Sequence, residues 1–526
     1  MAFVMELIMN KYKIEPYFNM KISKNYHNFT LEKLLKEFHL ANAKIKYLID
    51  NGNCYVNGEV ASSNTLLRTN DYLTIDISNF EHLDFQPEAI EINILYEDEY
   101  LLVINKPSGY IIYPDNRNAT GTIANFIADY YDKNNLDLDL SSDKLNKDIK
   151  KYIEDNPGTS KNKYSMLFEN KNLIFVVAES FSEIGVDEER TPTLYRLMHN
   201  GFTFDNFYVP YYLSTIGGEA QSLTGLYPNY ATLTKWKSGE NSFPYGLATV
   251  FKEKGYNTYA YHAHNGYFQN RYKYLKALGF DNFKACNIGL DINCNMWPES
   301  DIEMINASIN DYIDSDKPFM TYYMTVSGHL DYTKDGNSIV SKNWDLVKDL
   351  DYSDKAKSYI ATQIELDRAM EILIKGLEDK GILDDTVIVL LADHYPYGLT
   401  LDEINELSSY ERDGNFEINH NALIIYNSSM KNVNITKTGM PIDVLPTIYN
   451  LFGIRYDSRL LAGNDLLSNS EGMVILDNLS WITDKGRYDS LNNKYYGDID
   501  NTYVNNINNI ICHIYWIYNI YGKKRK

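Results

Sequence analysis

Acidic and imidazole side chains stand at or just beyond the ends of three long apolar runs in this sequence. Glu179 follows the first run, His329 comes shortly after the second, and Asp393 and His394 follow the third. Carboxylate oxygens and an imidazole nitrogen together suit Mn²⁺, Zn²⁺ or Mg²⁺. Taken singly, each position also has an ordinary structural explanation, such as a carboxylate near a helix N-terminus. The pattern makes the carboxylates and His394 candidate metal ligands, and leaves His329 open between a functional and a structural role.

A hydroxyl residue, Thr215, stands at the predicted start of a helix in the run Leu213–Glu219. Free N–H groups and the positive end of the helix dipole favour a bound phosphate at such a position. The same position suits a simple N-cap, which either Ser214 or Thr215 can provide. On these grounds alone Thr215 is either a nucleophile or a cap.

The elements that must position these residues alternate between strand and helix patterns from about residue 172 onward. Apolar runs that suit strands buried on both faces lie at Leu173–Ala178, Thr258–His262, Phe319–Val326, Thr386–Leu391 and Ala422–Tyr426. Amphipathic helices are predicted near Gly246–Glu253, Arg271–Leu278, Ile302–Ile313 and Ser353–Lys380. This alternation predicts an α/β fold with a mostly parallel sheet sandwiched by helices. Because ligands bind at the carboxyl ends of strands in such sheets, we expect the polar residues to meet at one edge.

From about Asn172 to Asp477 the chain resembles one family, the lipoteichoic acid synthases, which are phosphoglycerol transferases of the alkaline-phosphatase/sulfatase superfamily. The matching motifs occur in the family's order at Glu179-Ser180, Thr191-Pro192-Thr193-Leu194, Phe204-Asp205-Asn206-Phe207-Tyr208, Thr215 with Glu219, Leu226-Tyr227-Pro228, Asp393-His394-Tyr395 and Asp443-Val444-Leu445-Pro446-Thr447. A further segment, His262 followed by Arg271, looks like the family's substrate-contact segment. The resemblance implies an alkaline-phosphatase-like fold for this part of the chain.

The resemblance also implies one divalent cation, by preference Mn²⁺, with Mg²⁺ and Zn²⁺ as alternatives. The implied ligands are Glu179, Thr215, Asp393 and His394. Thr215 is then the nucleophile, because coordination to a cation favours loss of its hydroxyl proton.

By the same resemblance, His262, Arg271 and His329 contact the substrate phosphate and glycerol. The planar fork of Arg271 suits phosphate oxygens, and His329 suits proton transfer to or from a hydroxyl. Two positions depart from the family: Gln269 stands where a Trp is expected, and His264 where an acidic residue is expected. These two departures affect the prediction of which lipid headgroup is bound, and they leave the predicted reaction class unchanged.

The implied activity is transfer of a phosphoglycerol group from a phosphatidylglycerol-like lipid to a glycan or polymer acceptor, through a covalent phospho-threonine, in cell-envelope polymer synthesis. A phosphoethanolamine transferase or a phosphodiesterase on the same scaffold is the alternative. Sulfatases of the superfamily use a Cys or Ser within a Cys/Ser-x-Pro-x-Arg run, which residues 215–219 lack. His420 is an additional candidate ligand, although a structural role fits it better.

The first 133 residues carry a different pattern. Helical stretches and short strands over residues 30–77 resemble the S4 RNA-binding module, which predicts a small α+β module at 1–80. Residues 81–133 resemble the opening of the RluA-type pseudouridine synthases, most closely at Ile94–Gly109, but the catalytic Arg-Leu-Asp motif of that family does not occur in the sequence. The fragment is therefore predicted to lack that activity, as a vestige or through fusion of reading frames. RNA binding through residues 30–77 is a third functional hypothesis.

The length and composition of the sequence limit the number of domains and the classes of partner that can be expected. The 526 residues predict several domains, with a linker at 134–170, the catalytic domain at 171–500 and a tail at 501–526. The formal net charge of −21, and the 12 Lys and Arg against 18 Asp and Glu in residues 1–135, weaken the case for RNA and argue against DNA as a partner. Four Cys make no disulfide framework, and Cys286 and Cys294 either pair or stay free thiols.

Two expectations about localisation differ. The start of the chain lacks a signal-peptide pattern, and the apolar stretch Ile507–Tyr521 is short and interrupted by Asn and His, so no membrane span is predicted. The family resemblance instead implies the extracellular face of a membrane, where lipid headgroups and wall polymers lie. The sequence leaves localisation open between the two.

Overall fold

The computed structural model of the protein describes residues 5–6, 17–38, 42–76, 88, 92–97, 101–106, 109–112, 120–127, 158–159, 162–228, 243–454, 456–508 and 510–511. The chain forms two units, Met1–Tyr131 and Asp132–Lys526. Most of the predicted linker and parts of the 81–133 fragment lie outside the described residues. Within the described ranges, no helix combines the length and the apolar character needed to cross a membrane.

The first unit contains short helices and two small antiparallel sheets. It contains helices α1 (Leu31–Glu37) and α2 (Asn42–Asp50). Its strands are β1 (Met5–Glu6), β2 (Tyr17–Lys21), β3 (Cys54–Val56), β4 (Glu59–Val60), β5 (Tyr72–Asp76), β6 (Asn93–Glu97) and β7 (Leu101–Asn105). The strand orders are β2-β5-β3-β4 and β1-β7-β6. Leu31, Leu34 and Leu35 share a core with Leu48, because helical spacing puts the α1 leucines on one face.

The second unit holds the remaining elements. Its strands are β8 (Asn172–Ala178), β9 (Phe202–Phe204), β10 (Phe207–Tyr208), β11 (Asn257–His262), β12 (Asn282–Ala285), β13 (Phe319–Met324), β14 (Thr386–Ala392), β15 (His420–Asn421), β16 (Leu423–Tyr426), β17 (Val433–Ile435), β18 (Met473–Ile475), β19 (Trp481–Thr483), β20 (Gly486–Asp489) and β21 (Lys494–Gly497). Its helices are α3 (Pro192–Met198), α4 (Ser214–Thr224), α5 (Leu247–Glu253), α6 (Arg271–Ala277), α7 (Asp301–Ser308), α8 (Ser338–Asn343), α9 (Asp354–Lys380), α10 (Leu401–Leu407) and α11 (Val444–Leu451).

Eight of these strands form a central sheet in the order β12-β11-β13-β8-β14-β16-β9-β17. The five strands from β12 to β14 run parallel, whereas β16 runs antiparallel to both of its neighbours. Every residue of β14 and all of β8 except Asn172 are buried, as continuous apolar runs in a covered parallel sheet require. The predicted α/β fold with a mostly parallel sheet is confirmed.

Observed helices start and stop close to the predicted limits where local caps are strong. The 27-residue α9 starts after Ser353, whose hydroxyl accepts a hydrogen bond from the Ala356 N–H (3.3 Å). Gly381 ends it in the left-handed conformation (φ 73°) that favours glycine. The helix predicted over Ile302–Ile313 instead stops at Ser308, and a 3₁₀ turn follows it.

The chain on either side of the predicted catalytic domain also packs into the second unit. Phe168, assigned to the linker, is buried in the main core. Tyr503, assigned to the tail, donates a hydrogen bond to Thr483 (2.8 Å), and Ile507 is buried. Single apolar residues in polar segments do not change the average character of a segment, so composition alone does not reveal that these residues pack into the second unit.

The two candidate partner cysteines, Cys286 and Cys294, form a disulfide bond. This resolves the alternative that the sequence left open. Cys54 is a buried free thiol, and burial raises its pKa to about 11, which suits a structural rather than a reactive cysteine.

A partly buried ion pair joins the loop after β8 to the segment around β15. Glu183 Oε1 lies 2.6 Å from His420 Nδ1 and 2.5 Å from Arg412 Nη2. His420 Nε2 donates to the backbone carbonyl of Asp205 (2.8 Å). Both ring nitrogens of His420 are therefore engaged, and its role is structural rather than metal-binding.

We predict that the stability from this ion pair depends on pH. Burial opposes the charge on His420, but its hydrogen bond to Glu183 raises the pKa of His420 overall. Burial likewise opposes the charge on Glu183, but His420 and Arg412 lower the pKa of Glu183 overall. Because its pKa is raised on folding, His420 contributes its full stabilisation below the pKa of an unfolded imidazole, about 6.5. Because its pKa is lowered on folding, Glu183 contributes its full stabilisation above the pKa of an unfolded carboxyl group, about 4.3. The pair should stabilise most between these values and lose strength as the pH rises through the folded pKa of His420.

His420→Gln should accordingly lower the free energy of unfolding by about 1 to 3 kcal/mol near pH 5.5, and by progressively less at alkaline pH. Urea unfolding of both proteins from acid to alkaline pH measures this. His199→Gln, at an exposed histidine, is the matched control and should show no such trend. An equal loss at every pH would contradict a charged pair.

Candidate metal centre and active site

The carboxyl ends of β8 and β14 bring three metal-ligating side chains together. The two strands are parallel neighbours, with Ala178 paired to Ala392, so Glu179 and the pair Asp393-His394 leave the sheet side by side. A ligand atom of each of these three residues lies within 4.8 Å of the others, and all three are buried. The polar residues meet at one edge of the sheet, as the sequence predicted for strand ends.

This cluster has the chemistry of a site built for a cation. His394 Nδ1 donates to the Tyr395 carbonyl (3.0 Å), so Nε2 carries the lone pair. That nitrogen lies 3.2 Å from Asp393 Oδ2 and 3.5 Å from Glu179 Oε1. Neither His394 Nε2 nor Asp393 Oδ2 has a hydrogen-bond partner in the described part of the chain. Buried polar atoms that face one another without a hydrogen-bond partner are costly unless a cation joins them, so these residues fit a divalent metal.

The titration behaviour of the same groups agrees with this fit. Burial, together with the neighbouring carboxylate of Glu179, raises the pKa of Asp393 well above its ordinary value. Burial lowers the pKa of His394 and keeps its imidazole neutral. A bound cation would stabilise the ionised form of Asp393 and the neutral imidazole of His394, which are the forms that bind a metal.

Thr215 lies beside the cluster in the first turn of α4. Its hydroxyl donates to Glu179 Oε2 (3.0 Å), and the helix has no side-chain cap. Leu213 and Ser214 both adopt left-handed backbone conformations, with φ of 54° and 56°, which non-glycine residues seldom do away from functional turns. The contact with Glu179 favours the nucleophile interpretation of Thr215 over the capping one.

Two glycines allow the segments of the site to meet at backbone distance. A Cβ at Gly218 would overlap the backbone of Asp393, and a Cβ at Gly328 would overlap the carbonyl of Glu179. No other residue type fits at these positions without moving the ligands. Neither glycine is among the predicted site residues, although a glycine in the first turns of a helix, such as Gly218, is unfavourable there and indicates a close approach.

His329 stands in the loop after β13, near the cluster. Its Nδ1 donates to the Leu330 carbonyl (2.6 Å), which leaves Nε2 to face a partner, and His329 lies close enough to His394 to contribute to lowering the pKa of His394. Asp301, which sequence reasoning missed, holds this loop by accepting a hydrogen bond from the Val326 N–H (3.0 Å). Burial raises the pKa of Asp301 to about 7.

His262 and Arg271, both expected to contact the substrate, instead bind each other. Arg271 Nη1 lies 2.7 Å from His262 Nε2, whereas His262 Nδ1 donates to the Met324 carbonyl (3.0 Å). The other edge of the guanidinium pairs with Glu219 (Nη2–Oε2 3.1 Å), and despite burial this carboxylate raises the pKa of Arg271. The free nitrogen that a direct substrate contact by His262 requires is occupied by Arg271.

Aromatic rings surround a further side of the cluster. The ring centroids of Tyr397 and Tyr211 lie 4.7 Å and 5.7 Å from that of His394. Burial raises the pKa of Tyr397, and the nearby hydroxyl of Ser214, beside the nucleophile candidate, opposes that shift. In a chain with 46 Tyr, nothing in the sequence distinguishes these two from the others.

Comparison with known protein families identifies this catalytic architecture. A family model described as Sulfatase matches residues 171–454, more than half of the chain. The chain belongs to the sulfatase family. That assignment covers the strands and helices that position every candidate site residue described above.

Curated relatives of this sulfatase-family chain include two named synthases. It is 26% identical over 369 residues to lipoteichoic acid synthase 2 of Bacillus subtilis (strain 168), covering 66% of this chain and 55% of that protein. It is 26% identical over 390 residues to the lipoteichoic acid synthase of Staphylococcus aureus (strain USA300), covering 68% of this chain and 56% of that protein. The chain spans about half the length of these relatives.

Solved structures show the same fold. The lipoteichoic acid synthase LtaP from Listeria monocytogenes matches with a TM-score of 0.60 at 20% identity, covering 70% of this chain and 96% of that chain. A protein in the alkaline phosphatase superfamily from Vibrio parahaemolyticus matches with a TM-score of 0.54 at 19% identity, covering 70% and 92% respectively. The alkaline-phosphatase-like fold expected from the sequence is confirmed.

We predict that Asp393→Asn weakens Mn²⁺ binding to the full chain by at least about tenfold, because a neutral oxygen replaces an anionic ligand. In metal-free buffer the same substitution should leave the free energy of unfolding unchanged or raise it, since it removes one of two crowded buried carboxylates. Isothermal titration calorimetry and urea unfolding measure the two quantities.

Glu253→Gln, at an exposed carboxylate, is the matched control and should change neither quantity. Titration with Zn²⁺ and Mg²⁺ ranks the alternative ions. Undiminished Mn²⁺ affinity in Asp393→Asn would show that the cluster does not hold the ion.

Proposed function

We propose that the second unit is a metal-dependent phosphoglycerol transferase. It takes the glycerophosphoryl group from a phosphatidylglycerol-like lipid and passes it to a glycan or polymer acceptor in cell-envelope synthesis. The observation that carries the proposal is the 3.0 Å hydrogen bond from the Thr215 hydroxyl to Glu179, at the edge of the buried cluster with Asp393 and His394. The names of the relatives, lipoteichoic acid synthases, support the same reaction class.

The proposed cofactor is one divalent cation, with Mn²⁺ first and Mg²⁺ or Zn²⁺ as alternatives. Glu179, Asp393, His394 and the Thr215 hydroxyl would hold it. When bound, such an ion polarises a phosphoryl oxygen and makes the loss of a hydroxyl proton easier.

In the first half-reaction, Thr215 Oγ1 attacks the phosphorus of the lipid phosphodiester, and its proton passes to Glu179 Oε2. The bond from phosphorus to the diacylglycerol oxygen breaks, and that oxygen takes a proton from the imidazolium form of His329. Diacylglycerol leaves, and glycerol phosphate stays esterified to Thr215. The hydrogen bond of His329 Nδ1 to the Leu330 carbonyl fixes the ring so that Nε2 carries the transferred proton.

In the second half-reaction, a hydroxyl of the acceptor attacks the phosphorus and gives its proton to His329 Nε2. The bond to Thr215 breaks, and Thr215 regains its proton from Glu179. Atoms and protons balance over the two steps, and both His329 and Glu179 return to their starting states.

Arg271 is the proposed electrostatic partner of the phosphoryl oxygens, because its fixed positive charge acts over the same region as Glu179. His262 is better assigned as a positioning residue, since its Nε2 contacts Arg271 rather than open space. The extracellular location and the lipid and glycan partners follow from the proposed reaction. RNA binding through residues 30–77 stays a prediction about the first unit.

We predict that Thr215→Ala abolishes release of diacylglycerol from phosphatidylglycerol in the presence of Mn²⁺, with a loss of at least about a thousandfold, as expected when a covalent nucleophile is removed. Mass spectrometry of the wild-type protein after exposure to the lipid should find one glycerophosphoryl group on the peptide that contains Thr215.

Ser214→Ala removes the neighbouring hydroxyl and is the control, which should keep the adduct. Consumption of phosphatidylethanolamine without release of diacylglycerol from phosphatidylglycerol would favour a phosphoethanolamine transferase instead. Diacylglycerol release that persists in Thr215→Ala would contradict the covalent mechanism.

A further inference from the structure

A buried carboxylate, Asp301, holds the turn that carries His329. Asp301 is the first residue of α7 and is 1% exposed. Its Oδ1 accepts a hydrogen bond from the Val326 N–H (3.0 Å), and its Oδ2 accepts from the N–H (3.2 Å) and the hydroxyl of Ser327. The Val326 carbonyl in turn accepts a hydrogen bond from the His329 N–H (3.0 Å). A single residue therefore connects the Asp301 carboxylate to the backbone of His329.

The contacts of Asp301 differ from those of an ordinary carboxylate at a helix start. Such a carboxylate commonly interacts with the helix dipole and nothing else. Here Ser300 supplies the cap of α7, because its hydroxyl accepts a hydrogen bond from the Glu303 N–H (3.3 Å). The three donors that Asp301 binds all belong to the turn after β13, and a buried carboxylate with three donors is a strong fixed contact. Asp301 therefore attaches this turn to α7.

The start of α7 is itself bound to the neighbouring helices. The Ser300 hydroxyl donates to Glu365 of α9, and Glu365 pairs with Lys342 of α8 (Oε1–Nζ 2.9 Å). Ser300 and Glu365 are both buried. Through Asp301, the turn is thus attached to packed helices rather than to another loop.

The same turn contacts the metal cluster on its other side. The Thr325 hydroxyl accepts a hydrogen bond from the Glu179 N–H (2.9 Å), and Gly328 lies against the Glu179 carbonyl. Beyond the turn, the Asn337 side chain donates to the His329 carbonyl (2.9 Å). The position of this turn therefore sets where the His329 ring stands relative to Glu179.

We propose that Asp301 is a positioning residue for the proton transfers assigned to His329, and that the metal centre without this carboxylate still cleaves phosphodiesters whose leaving group needs no proton. This inference rests on the proposed function and extends it by naming the group that orients the general acid. Asp301 acts through Val326 and Ser327, because its own carboxylate is buried and bound to them.

Replacing Asp301 by Asn separates the two kinds of leaving group. The amide keeps one acceptor oxygen but turns an N–H₂ group toward Val326 or Ser327, where a backbone N–H already points. At least one hydrogen bond to the turn is then lost, and His329 loses its fixed place. The diacylglycerol oxygen is a poor leaving group without a proton, whereas p-nitrophenolate leaves as a stable anion.

The test follows the first half-reaction in a single turnover, with the full chain in excess over substrate in Mn²⁺. Diacylglycerol release from phosphatidylglycerol in mixed micelles is compared with p-nitrophenolate release from bis(p-nitrophenyl) phosphate. D301N should slow diacylglycerol release by at least about tenfold and p-nitrophenolate release by less than about threefold. S327A, which removes one of the three donors, should change the ratio of the two rates in the same direction by a smaller factor.

A double-mutant cycle with His329 distinguishes positioning from a general loss of structure. H329A should slow diacylglycerol release selectively, and adding D301N to H329A should slow it no further, because both changes remove the same proton transfer. A general loss of structure would slow both substrates and add to the effect of H329A. If D301N does not fold, the same cycle is carried out with S327A.

Asp465→Asn is the matched control. Asp465 is also a buried carboxylate with three donors, the Leu467 N–H (2.8 Å) and the side chains of Asn162 (2.7 Å) and Asn450 (2.6 Å). These donors lie outside the segments that carry the site, so D465N should keep the wild-type ratio of the two rates.

Two results would overturn the proposal in distinguishable ways. Equal slowing of both substrates by D301N, or full additivity with H329A, would show that Asp301 has only a structural role, and the proposed function would stand. If the wild-type chain cleaves bis(p-nitrophenyl) phosphate but releases no diacylglycerol from phosphatidylglycerol, the proposed function fails, and the positioning role of Asp301 fails with it.

Discussion

Glu179, Asp393 and His394 are held within 4.8 Å of one another in the interior of the second unit, with too few protons between them for mutual hydrogen bonding. Such an arrangement opposes folding, because acceptors are stripped of water and turned toward each other. It persists since β8 and β14 are among the most deeply buried strands and fix the backbone at both ligand segments. The sheet thus holds these three side chains in an unfavourable contact, which a bound cation would relieve.

The surrounding elements maintain this contact by directing side chains rather than by adding charge. In three histidines of the site, Nδ1–H donates a hydrogen bond to a backbone carbonyl, and Nε2 is left to face a partner. These pairs are His262 with Met324, His329 with Leu330, and His394 with Tyr395. Gly218 and Gly328 then bring the backbone segments close enough for the side chains to meet.

The arrangement of the sheet could be predicted because its strands are continuous apolar runs, whose only stable location is the interior of an α/β fold. Glu179, Asp393 and His394 could be placed together because strand ends of a parallel sheet share an edge. The pairing of Arg271 with Glu219 could not, since both charges lie in separate helices and their contact depends on how α4 and α6 pack.

The charge balance of the site explains why a phosphodiester suits it. Arg271 is paired with Glu219 at 3.1 Å, so in the proposed reaction Arg271 acts on the phosphoryl oxygens as a nearby positive group while the pair leaves the net charge of the centre unchanged. Two ionised carboxylates, Glu179 and Asp393, would offset a divalent cation held between them. The centre is then close to neutral, and a group with a single negative charge enters at smaller electrostatic cost than a doubly charged monoester. The proposed lipid phosphodiester carries that single charge, and so would the proposed threonine-linked intermediate, so neither proposed half-reaction requires the site to accommodate a second one.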